Sequence, residues 1–236
     1  MRKYEKIRPP FFEIGPKNYI YGDRIVELAL AADRASELYD VDVIFTTPYA
    51  DIRMVNECTK NIHVFAPHMD SEPIGRGLAN ILPESIKAAG AQGVMLNHVE
   101  KPLSYSQLEC TIARAREVGL YTIVCADSIN EAKAIALLAP DILVAEPAGL
   151  IGTGNAVDSG YISIACETIK SINSNILVLT AAGIRNADDV YNIITGGCDA
   201  TGTSSGVALA ENPVVMVAEM IAAVRRAWDY LHGIHN

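Results

Sequence analysis

Apolar residues are distributed along the chain in two alternating patterns. Short runs of β-branched and aliphatic residues fall at residues 11–15, 43–46, 62–66, 93–96, 122–126, 142–145, 176–180 and 200–203, and predict strands. Between and after them lie stretches with helical spacing, at about residues 23–38, 50–58, 82–89, 106–118, 130–138, 160–172, 187–195 and 212–230. The spacing is plainest in Ile25, Leu28, Ala29 and Ala32, in Ile112, Ala115 and Val118, and in Val214, Val217, Ala218 and Ile221. Each such helix would bury one stripe against a sheet.

Continuously apolar strands covered by helices predict a parallel sheet. Eight strand–helix units of about 30 residues each predict a (β/α)8 barrel slightly under the usual size. The competing arrangement, a doubly wound open sheet, would carry a glycine-rich fingerprint after its first strand. Gly15-Pro16-Lys17-Asn18 is not that fingerprint. No linker, low-complexity tract or shift of composition interrupts the chain, so residues 1–236 are read as a single domain. The longest irregular segment, residues 67–80, would be a substrate loop or an oligomer contact.

Composition narrows the partners. A formal net charge of −9 and a pI near 5.0 argue against nucleic acid or an anionic membrane surface, both of which need a basic face. An anionic ligand must therefore be held by local donors. The five cysteines are widely spaced with no Cys-x-x-Cys pair, as expected of reduced thiols in a cytoplasmic protein. The charged start of the chain has no apolar segment behind it and does not read as a signal peptide, and no run is long enough to span a bilayer. His63, His68 and Asp70 lie close in sequence, but no further ligand has metal spacing, so no metal site is predicted.

The chemistry collects at the carboxyl ends of the strands, where a barrel places its ligand. Lys17 follows the first strand, Asn97-His98-Val99-Glu100 the fourth and Glu146 the sixth. Gly183 follows the seventh, and Ser204 and Ser205 the eighth. Glu146 opens a loop, residues 146–154, with a proline arm, an apolar Leu150-Ile151 tip and Gly152 and Gly154 at its far end. That composition suits a lid closing over a small ligand; the plainer alternative is a strand-capping Glu before a tight turn. A Lys, a His and a Glu beside two Gly/Ser loops would suit proton abstraction next to a carbonyl in a phosphorylated substrate, with no cofactor.

These motifs resemble the triosephosphate isomerase family in its short archaeal-type form. The resemblance rests on Asn97-His98-x-Glu100, Glu146-Pro147 with Leu150-Ile151-Gly152-Thr153-Gly154, Ala182-Gly183-Ile184 and Ser205-Gly206, and extends to Ile81-Leu82-Pro83-Glu84 and Lys87-Ala88-Ala89-Gly90. It implies a cytoplasmic homodimer or homotetramer of glycolysis and gluconeogenesis. The reaction would interconvert glyceraldehyde 3-phosphate and dihydroxyacetone phosphate. Glu146 would be the base, His98 the neutral electrophile, Lys17 the substrate-binding cation and Glu100 a supporting carboxylate. Backbone N–H groups of Ile151 or Gly152, Gly183, Ser204 and Ser205 would hold the phosphate.

The chain departs from the family pattern at several places. Gly15 stands where Asn is usual, Val99 where Ser is, Lys101-Pro102 after a Glu where Arg is, Leu78-Ala79 where Thr-Gly is, and Ala181 where Gly is; the lid carries Ala148-Gly149. Three of these changes remove a polar group near Lys17. They keep two alternatives open: an isomerase of a related ketose phosphate, such as a four-carbon one, and a non-catalytic barrel that senses a phosphorylated metabolite.

Overall fold

The computed structural model describes residues 6–147, 149, 159–181 and 183–234. Eight parallel strands close into a barrel in chain order: β1 (Phe11–Ile14), β2 (Asp42–Thr46), β3 (His63–Ala66), β4 (Gly93–Leu96), β5 (Tyr121–Ala126), β6 (Ile142–Ala145), β7 (Leu177–Leu179) and β8 (Ala200–Thr203). The helices between and after them are α1 (Asp23–Tyr39), α2 (Ile52–Cys58), α3 (Pro83–Ala88), α4 (Tyr105–Val118), α5 (Ile129–Ala136), α6 (Ser159–Ile172), α7 (Ala187–Thr195), α8 (Ser205–Ala208) and α9 (Pro213–His232). The closing pair is β1 with β8, in the register Phe11↔Ala200 and Glu13↔Gly202.

Local chemistry fixes several boundaries. Ser104 and Gln107 form a capping box at the start of α4, and Gly119 ends that helix in the left-handed region. Ser128 caps α5, Asn186 caps α7, and Asn212 with Pro213 opens α9.

Alternation along each strand divides the core in two. Phe11, Ile44, Phe65, Ile123, Ile142, Val144, Leu179 and Ala200 fill the barrel interior, while the intervening residues, Phe12, Phe45, Val64, Val124 and Leu143 among them, pack outward under the helices. A filled interior makes the barrel a rigid frame, and a ligand must sit above it, at the carboxyl ends of the strands.

All eight strand–helix units occur in the order and of the type expected from the sequence. The departures are local. A 3-10 turn, Tyr49–Asp51, precedes α2, and α8 adds a helix that sequence spacing did not reveal, because four residues are too few to show a helical period. Residues 67–80 form a loop whose base is laced by Asp70: its N–H donates to the Ile81 carbonyl, 3.0 Å, and its carboxylate accepts from the Ile81 N–H, 2.6 Å. Its outer part exposes Ile74 and Leu78.

Gly93 marks how tightly the interior is filled, since a Cβ added there would run into the Phe65 ring. Gly93→Ala is therefore expected to lower unfolding stability by about 1–3 kcal/mol through overpacking, read from the urea midpoint. An unchanged midpoint would show that the ring has room to move.

Candidate active site

The interior face of each strand climbs to the mouth two residues at a time. Glu13 follows Phe11, Thr46 follows Ile44, Glu146 follows Val144 and Gly202 follows Ala200. The topmost inward layer thus changes from apolar to polar.

Lys17 sits just past β1 with φ 49°, a left-handed conformation uncommon for a residue with a side chain. Its ammonium donates to Glu100 Oε1 at 3.1 Å, joining the loop after β1 to the loop after β4. Glu100 is 64% exposed, so the pair orients Lys17 and adds little stability.

The loop after β4 is held by Asn97, which also has a left-handed φ, 56°. Its side-chain amide donates to the Cys125 carbonyl and to Glu131 Oε1, both at 3.0 Å, and its oxygen accepts from the Leu103 N–H at 2.9 Å. With three partners, Asn97 fixes where His98 begins. His98 Nδ1 then accepts the Glu100 backbone N–H at 3.1 Å. Because Nδ1 is an acceptor, the neutral ring carries its proton on Nε2. The Glu100 carboxylate, 3.8 Å from Nδ1, is too distant for a hydrogen bond. Burial, and then the Lys17 charge, push the His98 pKa down, so the ring stays neutral around pH 7.

Glu146 leaves the end of β6, its N–H donating to the Ala126 carbonyl at 3.0 Å. Burial raises its carboxyl to about 7; Lys17 and the Ala181 N–H oppose the rise, and Asp127 adds to it. Across the mouth Glu13 is likewise raised to about 7, first by burial, against a hydrogen bond from Thr46, with Glu146 raising and Lys17 lowering it. Two carboxyls near neutrality therefore share the field of one ammonium.

The loops after β7 and β8 pack against each other. Thr203 Oγ1 donates to the Ile184 carbonyl at 3.2 Å, and a Cβ on Gly206 would collide with that carbonyl. Gly183 is left-handed at φ 76°. Ser204 precedes α8 and Ser205 begins it, beside the Gly183 turn. The Ser204 hydroxyl is buried without a hydrogen bond among the described residues. Of the residues expected at the site, Lys17, His98 and Glu100 are in direct contact, Glu146 shares the Lys17 field, and Gly183, Ser204 and Ser205 lie on the adjoining rim. Ile151 and Gly152, with the tip of the expected lid, lie outside the described residues.

Three positions carry more than the sequence suggested. Glu13 is the charged residue of the otherwise apolar β1, a signal that was visible. Thr46 ends β2 with an inward hydroxyl, and Asn97 binds across to β5 and α5, which no local pattern announces.

Residues 17–213 match the sequence profile described as triosephosphate isomerase. The chain is 35% identical over 207 residues to the triosephosphate isomerase of Methanocaldococcus jannaschii, covering 86% of this chain and 94% of that protein. It is 32% identical over 226 residues to the enzyme of the same name from Saccharolobus solfataricus and 33% over 227 residues to that of Sulfurisphaera tokodaii. Each of these matches covers 94% of this chain and 99% of the relative. With a closed eight-stranded parallel barrel underneath that similarity, the chain belongs to the triosephosphate isomerase family of isomerases.

Proposed function

We propose that this barrel interconverts glyceraldehyde 3-phosphate and dihydroxyacetone phosphate, with Glu146 as the base that moves a proton between neighbouring carbons through an enediolate. The observation that carries the proposal is the inward placement of Glu146 at the end of β6, on the same rim as the Lys17–Glu100–His98 cluster, where burial raises its carboxyl to about 7 against the pull of the Lys17 charge. A base whose pKa lies near the working pH combines a populated carboxylate with strong proton affinity. The names of the relatives supply the substrate.

Glu146 removes a proton from the carbon beside the carbonyl. His98, with its proton on Nε2, donates a hydrogen bond to the carbonyl oxygen as negative charge gathers there, and Lys17 supplies a standing positive potential. Glu146 then returns the proton to the adjacent carbon. This pairing of a Glu base with a neutral His is the established pattern of the family. Backbone N–H groups at Gly183, Ser204 and Ser205 hold the phosphate, and Glu100 keeps the Lys17 ammonium in place.

Glu146→Gln keeps the shape of the site and removes the base, so kcat is expected to fall roughly 10²–10⁴-fold with the melting temperature unchanged or higher. Normal turnover in that variant would remove the assignment. In the unmodified protein, kcat/KM should rise tenfold per pH unit below about 7 and level off above it, following ionisation of Glu146. A profile flat through neutrality would contradict it. A barrel that only senses the sugar phosphate would bind it without exchanging the substrate's α-proton for solvent deuterium.

A further inference from the structure

Two cysteines that take no part in the site at the mouth meet on the flank of the barrel. Cys166 lies on α6 and Cys198 two residues before β8; they are 32 positions apart in sequence, and their sulfurs are 3.4 Å apart. Cys198 is buried, at 1% exposure, whereas Cys166 is half-buried, so one sulfur is sealed and solvent reaches the other. Cys198 Sγ also donates to the buried Thr180 Oγ1 at 3.5 Å. An ion pair holds the same two segments together: Lys170, one turn past Cys166 on α6, meets Asp199 Oδ2 at 2.7 Å, and that oxygen also accepts the Val178 N–H at 2.8 Å.

The plain reading is two thiols packed as small apolar groups. Their surroundings are more specific than packing requires. One thiol donates to the other sulfur, and a cation stands beside them. When the pair loses a proton, the hydrogen bond from Cys166 favours a thiolate on Cys198, aided by Thr180 and Lys170 against burial and Asp199. The same bond, with burial, keeps the proton on Cys166. Closing the sulfurs to bonding distance takes a further approach of about 1.4 Å, within reach of side-chain rotation. We propose that Cys166 and Cys198 form a reversible disulfide on exposure to a hydroperoxide, and that this bond locks α6 onto the segment entering β8. The inference is independent of the isomerase reading.

The Cys198 thiolate attacks a peroxide oxygen: an S–O bond forms, the O–O bond breaks, and the departing hydroxide takes up the proton that Cys198 released. The Cys166 sulfur then attacks the Cys198 sulfur. An S–S bond forms, the S–O bond breaks, and hydroxide leaves with the Cys166 proton as water. Two thiols have lost two electrons, and hydrogen peroxide has become two waters. Reduction runs through the exposed side: an external thiol attacks the Cys166 sulfur and expels Cys198 as a thiolate, the better leaving group, and a second external thiol frees Cys166. A bond made and broken in this way fits a protein whose thiols are otherwise reduced. It would enclose β7, the Gly183 turn and α7.

The test treats the unmodified protein with hydrogen peroxide and counts free thiols after unfolding. Two of the five are expected to disappear, with a Cys166–Cys198 cross-linked peptide seen by mass spectrometry, and dithiothreitol should restore both. The melting temperature of the oxidised form should rise by about 5–10 °C, because the bond closes a loop in the unfolded chain. In Cys166→Ala the cross-linked peptide and the peroxide-dependent rise should both vanish. Retention of all five thiols, a bridge made instead through the exposed Cys110 or the buried Cys125, or oxidation ending at sulfinic acid would overturn the site. A Cys166–Cys198 bridge that leaves the melting temperature unchanged would overturn the lock.

Discussion

One ammonium in a low-dielectric mouth sets the terms for everything around it. Lys17 is the positive charge against which Glu13, Glu100 and Glu146 are arranged, and it also helps keep His98 neutral. Such a cluster is tolerable only on a frame that cannot relax it away. The filled interior supplies that frame: Phe11, Ile44, Phe65 and Ile142 close off the barrel beneath, so the polar groups above have nowhere to withdraw. Charge that would be solvated at an open surface is held here in fixed geometry, and preorganised charge of this kind can meet charge developing on a ligand without reorganising.

The fold was legible because its signals are local and repeated. Most strands carry an apolar run, the long helices show their stripes, and eight repetitions leave few topologies that bury all of them. What escaped was either too short to have a period, as in α8, or determined by tertiary contact, as in the Asp70 and Ile81 pairing that closes the 67–80 loop.

The site was legible in part for a different reason. Lys17, His98 and Glu146 announce themselves as polar residues at strand ends. Asn97 and Thr46 act through partners about thirty residues away, Cys125, Glu131 and Glu13, and nothing at their own positions states those partnerships. Glu13 stands out as a charge in an apolar strand, but its meaning depends on which face it takes and on two glycines, Gly15 in its own chain segment and Gly202 at the other end of the sequence. The absence of an Asn at position 15 reads as a loss from sequence alone. In three dimensions a carboxyl from two residues earlier stands beside the space that a side chain at 15 would have entered.

The pairing of Glu13 with Gly202 lies on the seam where the first strand meets the last. Lys17, His98 and Glu146 all precede β7 and could be brought near one another by an incomplete sheet, but the pocket that seats Glu13 does not exist until β8 has docked on β1. Closure of the β1–β8 seam and completion of the polar mouth are therefore the same event. A chain in which that seam is open lacks the full constellation.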